Sequence, residues 1–145
     1  MVSVDPPRLV IDTNVFVTGL ISASGAPAKI LRAIRQNRAI HVVSDPIVEE
    51  YLRVLDYPRI RKFEKVSDEF IATIAAYLIY QTHRVELTSN VRMSRDPDDD
   101  VFLQTAVDGQ ASLLISGDKT DLLSLTAIED IPIVTAREAI VRLGL

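Results

Sequence analysis

The 145-residue sequence contains no cysteine, no tryptophan and only two histidines. Without cysteine, disulfide bonds and thiolate zinc sites are excluded, and a cytoplasmic location is expected. His41 and His83 are too few for a histidine-rich metal site. A bound metal would therefore be held mainly by oxygen atoms, which are the ligands that magnesium, manganese and calcium prefer.

Long apolar runs and an excess of basic residues are also missing. No segment approaches the roughly 18 consecutive apolar residues of a membrane span, and residues 1–7 lack the basic start and apolar core of a secretory signal. We therefore expect no membrane partner. The formal net charge of −4 argues mildly against nonspecific coating of nucleic acid. It does not exclude an enzyme that holds a phosphodiester through bound metal.

The sequence does contain enough apolar material for a core, because 48% of its residues are hydrophobic. The length fits one domain over residues 1–145, with residues 1–7 as a short tail. Short apolar runs that alternate with amphipathic segments predict a three-layer α/β/α fold around a central parallel sheet. The predicted strands are 8–11, 40–43, 85–87, 113–116 and 131–134, and the main predicted helices are 27–34, 45–55, 67–82, 98–107 and 136–143.

Polar residues follow several of the predicted strands. Asp12 ends the first strand, Ser44 the second and Asp118 the fourth. In open parallel sheets, ligands bind beyond the carboxyl ends of the strands. Further acids belong to neighbouring helices, with Glu50 after the second strand and a group before the fourth strand that consists of Asp98, Asp99 and Asp100. Carboxylates this close together favour a bound cation, which would activate water and neutralise a phosphodiester of RNA or DNA.

Each acid also has a purely structural interpretation. The Asp-Pro-Asp-Asp sequence at residues 96–99 is typical of a turn and a helix cap. Glu50 taken alone would be a solvated helix residue, and Asp118 a turn residue after Gly117. The structural interpretation is weakest for Asp12, because it directly follows the apolar residues 9–11. The joint arrangement of the acids favours a metal site.

Four segments together resemble one known family. They are VIDTNVF at residues 10–16, SDPIVEEYLRVL at 44–55, RDPDDDVFL at 95–103 and ISGDK at 115–119. In this order and spacing, the chain from residue 9 to about residue 143 resembles the PIN domain. The resemblance is to the group described as toxin components of toxin–antitoxin systems, the VapC-like ribonucleases.

The resemblance implies magnesium- or manganese-dependent cleavage of RNA, an antitoxin protein as partner and a homodimer. Its four acidic positions correspond to Asp12, Glu50, Asp99 and Asp118. Asp12 would be the central metal ligand, Asp99 and Asp118 would complete the shell, and Glu50 would hold a second metal or orient the attacking water. Alternatives to the last two acidic positions are Asp98, Asp100 and Asp121, and the accompanying polar positions are Asn14 and Ser116.

A basic connector covers residues 57–65 and contains Arg59, Arg61 and Lys62. It is either a solvated loop or a patch that steers RNA. Three alternatives to the nuclease function stay open. They are a catalytically silent PIN-like binding module, an aspartate-based phosphatase and a phosphate-accepting receiver domain. The last two classes need a second acid close behind Asp12, where this sequence has Thr13 and Asn14.

Overall fold

The structure is a computed structural model that describes residues 5–89, 97–117 and 122–145. Two predicted site residues, Asp118 and Asp121, lie outside the described residues. For Asp98 the backbone is described as part of a helix, whereas its side chain is not. In the described part of the chain, no helix combines the length and hydropathy needed to cross a bilayer.

The strands form one sheet in the order β3-β2-β1-β4-β6-β5. Neighbouring strands run parallel from β3 to β6, and β1 pairs with β4 in a register that places Val10 opposite Leu114. The outermost strand, β5, runs antiparallel to β6. The strands are β1 (Arg8–Ile11), β2 (Ile40–Val43), β3 (His83–Arg84), β4 (Leu113–Ile115), β5 (Ala127–Ile128) and β6 (Ile131–Val134).

Helices flank this sheet, so the predicted three-layer α/β/α fold is confirmed. They are α1 (Thr13–Ile21), α2 (Ala26–Arg35), α3 (Asp45–Leu55), α4 (Pro58–Arg61), α5 (Asp68–Tyr80), α6 (Pro97–Asp108) and α7 (Ala136–Leu143), with a 3-10 turn at Leu123–Leu125.

The hydrophobic core is built around the central strands. Leu9, Val10 and Ile11 are fully buried, as are Val42 and Val43 of β2 and Leu114 and Ile115 of β4. Parallel strands covered on both faces are expected to read as continuous apolar runs, and these do. The apolar pattern therefore placed the central strands correctly.

Three local features differ from the sequence prediction. The third strand lies at His83–Arg84 rather than at 85–87. The antiparallel strand β5 was not predicted, and it arises because only two residues separate it from β6, a link too short for a parallel crossover. Helix α1 was not predicted either, because its sequence is rich in β-branched residues with low helix propensity.

Gly109 directly follows α6 but is not the left-handed residue at its end. The helix ends at Asp108, and the residue with positive φ is Gln110, at 50°. Gly109 serves packing instead, because a Cβ atom there would lie 2.6 Å from Cγ1 of Val42 on β2. Glycine at this position thus permits close approach of α6 to the sheet.

Candidate functional site

The sheet order reverses between β1 and β4. From β1 the chain continues outward through β2 to β3, and it later returns to place β4 and β6 on the other side of β1. Such a switch point leaves a crevice at the carboxyl ends of the two central strands, where α/β proteins bind ligands. Asp12 follows β1 and Ser116 follows β4 at this point.

Asp12 is a buried carboxylate with a fixed orientation. Its side chain is the N-cap of α1, because Oδ1 accepts a hydrogen bond from the Val15 amide at 3.0 Å. Oδ2 accepts from the hydroxyl of Ser116 and from the Gly117 amide, the latter at 3.1 Å. Only 5% of the residue is exposed. These three bonds fix the orientation of the Asp12 carboxylate at this edge of the sheet.

Glu50 is hydrogen-bonded to Thr13, the residue that follows Asp12 in the sequence. The hydroxyl of Thr13, the first residue of α1, donates a hydrogen bond to Oε2 of Glu50 on α3. Because Thr13 directly follows Asp12, the two carboxylates belong to the same edge of the sheet. We call Asp12, Thr13 and Glu50 the carboxylate edge.

A small pocket of about 140 Å³ adjoins Glu50. It lies between α3 and the first turns of α6, and Arg53, Val101 and Phe102 contribute to its lining. Nη2 of Arg53 is 3.8 Å from Oε1 of Glu50, and 58% of the Arg53 side chain is exposed. The N-terminal part of α6, which carries the predicted acids, therefore lies next to Glu50.

The predicted acids of α6 differ in exposure. Asp100 is buried, with 8% exposed, and Asp99 is half-buried. Both make polar or electrostatic interactions. Asp99 as the third acidic position, and Asp98 and Asp100 as its alternatives, stay predictions.

The supporting polar residues Ser116, Ser44 and Asn14 differ in what they contact. Ser116 contacts Asp12 directly, whereas Ser44 is fully buried and bonds to Thr105 of α6, with 2.8 Å between the hydroxyl oxygens. Thr105 itself donates to the Val101 carbonyl at 2.7 Å, so Ser44 is the donor in their bond. Ser44 thus connects β2 to α6. Asn14 is exposed in the first turn of α1.

The basic connector contains a short helix, α4, and its cations are engaged differently. Arg61 bonds to Asp56 at 3.0 Å and to Asp68 at 2.6 Å. Arg59 is exposed, with its guanidinium 5.6 Å from the centre of the Tyr57 ring, and Lys62 is exposed. Arg61 therefore connects the two ends of this segment, whereas Arg59 and Lys62 are exposed on its surface.

Sequence reasoning missed Tyr51 as a residue near the site. It is fully buried on α3, next to Glu50, and its hydroxyl donates to the Ile11 carbonyl at the end of β1. Burial and the nearby Tyr77, Asp12 and Glu50 raise the pKa of Tyr51, so the hydroxyl keeps its proton. A tyrosine inside the apolar arc of a predicted helix was the available indication, since a buried hydroxyl needs a partner.

The donor chemistry of the site fits a hard divalent cation, because Asp12 and Glu50 offer carboxylate oxygens. Across residues 5–89, 97–117 and 122–145, no three Asp, Glu or His side chains form a group able to hold a metal ion. The predicted ligand set also includes Asp118, which is outside those residues. The described carboxylates are thus part of the predicted set and not all of it.

Comparison with known proteins identifies the family. The PIN domain model matches residues 8–120, so the chain belongs to the PIN domain family. An uncharacterized protein of Methanocaldococcus jannaschii is 32% identical over 118 residues, which cover 81% of this chain and 74% of that protein.

Two solved structures are similar to this chain at low sequence identity, and the first of them shares its fold. The VapBC2 complex from Rickettsia felis, bound to a DNA fragment from its promoter, contains a chain with a TM-score of 0.55 and 10% identity, covering 87% of this chain and 96% of that one. The PIN domain endonuclease Utp24 gives a TM-score of 0.49 and 20% identity, with 90% and 85% of the two chains covered.

Proposed function

We propose that this protein is a metal-dependent endoribonuclease that hydrolyses RNA phosphodiester bonds at the carboxylate edge. Membership of the PIN domain family supports this function. The observation that carries it is the connection of two carboxylates, Asp12 and Glu50, through Thr13 at the switch point of the sheet. Burying a carboxylate costs free energy unless it is compensated, and the bonds from Val15, Ser116 and Gly117 offset this cost and hold Asp12 in a fixed orientation at this edge.

Asp12 and Glu50 would hold Mg²⁺ or Mn²⁺ together with Asp99 and Asp118, and Asp98, Asp100 and Asp121 are the alternative ligands. When bound, the metal would supply an activated water and neutralise charge on the phosphodiester. Ser116 and the Gly117 amide fix the orientation of the Asp12 carboxylate. Glu50, held by Thr13, would bind a second metal or orient the attacking water.

The biological setting is proposed by analogy with VapBC2. We infer that the chain is the toxin of a toxin–antitoxin pair, with an antitoxin protein as partner, that it forms a homodimer, and that it acts in the cytoplasm.

The exposed cations Arg59 and Lys62 would contact the RNA backbone, with Arg61 in a mainly structural role. Production of the wild-type chain and of Asp12→Asn in a bacterial host tests the toxin role, since only the wild type should arrest growth.

The enzymatic test compares wild type with Asp12→Asn on end-labelled single-stranded RNA, in Mn²⁺, Mg²⁺ or EDTA. Asparagine is as good an N-cap as aspartate, so this substitution preserves the start of α1 while removing the charge. We expect cleavage by the wild type to need metal. Asp12→Asn should lower the cleavage rate at least about a hundredfold, because substitution of residues that only support metal ligands already lowers activity about 10- to 100-fold.

The matched control is Asp130→Asn. Asp130 is exposed and directly precedes β6, at the amino edge of the sheet. The Asp130→Asn variant should therefore cleave RNA at the wild-type rate. Identical purification of all three proteins controls for contaminating ribonuclease. Equal activity in Asp12→Asn and wild type would refute the site.

The alternative is a catalytically silent PIN-like module. It would keep the fold and lose the affinity for metal, so titration with Mn²⁺ separates it from an enzyme that merely lacks its RNA target. The phosphatase and receiver alternatives are set aside, because the family is the PIN domain.

A further inference from the structure

A series of hydrogen bonds connects α5 to the end of β1. It begins at the hydroxyl of Tyr77, which lies 2.8 Å from Nδ1 of His41. Nε2 of His41 lies 3.1 Å from the hydroxyl of Tyr51, and that hydroxyl bonds to the carbonyl of Ile11. His41 and Tyr51 are both fully buried.

The direction of each bond follows from the bond between Tyr51 and the Ile11 carbonyl. A carbonyl only accepts, so Tyr51 donates its proton to Ile11. The Tyr51 oxygen therefore accepts from Nε2–H of His41, and Nδ1, without a proton in the neutral ring, accepts from Tyr77. Burial lowers the pKa of His41 to about 3, consistent with a neutral ring. The polar side-chain atoms of Tyr77, His41 and Tyr51 all have hydrogen-bond partners. A network that is satisfied in this way makes its surroundings more rigid.

The series ends where the carboxylates are attached. Ile11 is the last residue of β1 and precedes Asp12, whereas Tyr51 follows Glu50 on α3. The ring of Phe16 from α1 stacks on Tyr51, with centroids 4.2 Å apart and planes at 21°. Tyr51 thus contacts the strand that ends at Asp12, the helix that Asp12 caps and the helix that carries Glu50.

We infer that Tyr51 is a positioning residue, which fixes the end of β1 relative to α3 and thereby sets the separation of the Asp12 and Glu50 carboxylates. The inference rests on the proposed metal site. Tyr51 touches neither substrate nor metal in this role. It acts through the Ile11 carbonyl, and Nε2–H of His41 donates to its hydroxyl.

The test uses the full chain and Mn²⁺ alone, titrated by calorimetry. Tyr51→Phe keeps the ring that stacks on Phe16 and removes only the hydroxyl. We expect it to bind Mn²⁺ about tenfold more weakly or worse, as losses of supporting hydrogen bonds around metal ligands typically do. The matched control is Tyr77→Phe, which makes the same chemical change at the far end of the series and leaves the bond to Ile11 intact. It should bind Mn²⁺ like wild type.

A purely structural role for Tyr51 would lower resistance to urea without changing the affinity of the folded protein for Mn²⁺. Wild-type affinity in Tyr51→Phe, or equal weakening in both variants, would therefore overturn the inference. If Tyr51→Phe does not fold, the double variant His41→Leu, Tyr51→Phe removes the stranded ring donor as well and should show the same weakened binding.

Asp12→Asn in the same titration separates the two proposals. If it loses Mn²⁺ binding while Tyr51→Phe keeps it, the metal site stands and the positioning role is refuted. If wild type binds no Mn²⁺, the metal site and the inference both fail.

Discussion

The carboxylate edge and the basic connector are both charged segments, but they are built in opposite ways. Asp12 is 5% exposed and accepts hydrogen bonds from two backbone amides and a hydroxyl. In the connector, Arg61 pairs with Asp56 and Asp68, whose side chains are 69% and 91% exposed. The carboxylate edge holds Asp12 in a fixed, poorly solvated position, whereas the ion pairs of the basic connector are exposed to solvent.

This difference separates the functions that each region can perform. Electrostatic interactions are stronger in a poorly solvated site, and a fixed carboxylate needs no reorganisation during a reaction. Exposed ion pairs are screened and typically contribute about 1 kcal/mol or less. We therefore expect substitutions in the carboxylate edge to change chemistry and those in the basic connector to change association.

After Asp12→Asn, the largest effect is expected at Glu50. Glu50→Gln keeps an oxygen that accepts the Thr13 hydroxyl but loses the charge, so the rate of RNA cleavage in Mn²⁺ should fall at least about tenfold. The adjacent Glu49 is exposed, and Glu49→Gln is the matched control that should keep the wild-type rate. Equal rates for the two variants would mean that position in the carboxylate edge does not matter.

Stability should depend on pH through His41. Burial lowers its pKa in the folded protein to about 3, below the ordinary value of 6.5 that it regains on unfolding. Its contribution to stability is therefore complete above pH 6.5 and is lost as the pH falls towards 3, by up to about 1.4 kcal/mol per pH unit. Urea unfolding of wild type and His41→Gln at pH 7.5 and 5 measures this loss. Parallel decreases in the two proteins would assign the dependence to other groups.

The smallest effect is expected in the basic connector. Arg59→Gln with Lys62→Gln should weaken RNA binding a few fold and reduce the salt dependence by about 0.7 per lost phosphate contact, with the maximal rate unchanged. Arg61→Gln is the contrasting variant, since its bonds to the exposed Asp56 and Asp68 predict a small loss of stability and little change in binding. A large fall in maximal rate in the double variant would contradict the division between the two regions.

Much of the fold was predictable because its signals are local. The apolar runs of β1, β2 and β4, and the Ser67 cap of α5, follow from strand burial and helix capping. Helix α1 was not predictable in this way, since its β-branched sequence favours a strand and the Asp12 cap decides for a helix. Asp12 could be singled out from its place after an apolar run, whereas the partners of Thr13 and Tyr51 could not be identified.

The sequence by itself determined which side chains are available for chemistry, since it lacks cysteine, has few histidines and places acids after apolar runs that become the central strands. Only the tertiary structure decided which side chains meet. The bond from Tyr51 to Ile11 joins residues 40 positions apart, and that from Ser116 to Asp12 spans 104 positions. Contacts of this range depend on the order and register of the strands, which no local pattern encodes.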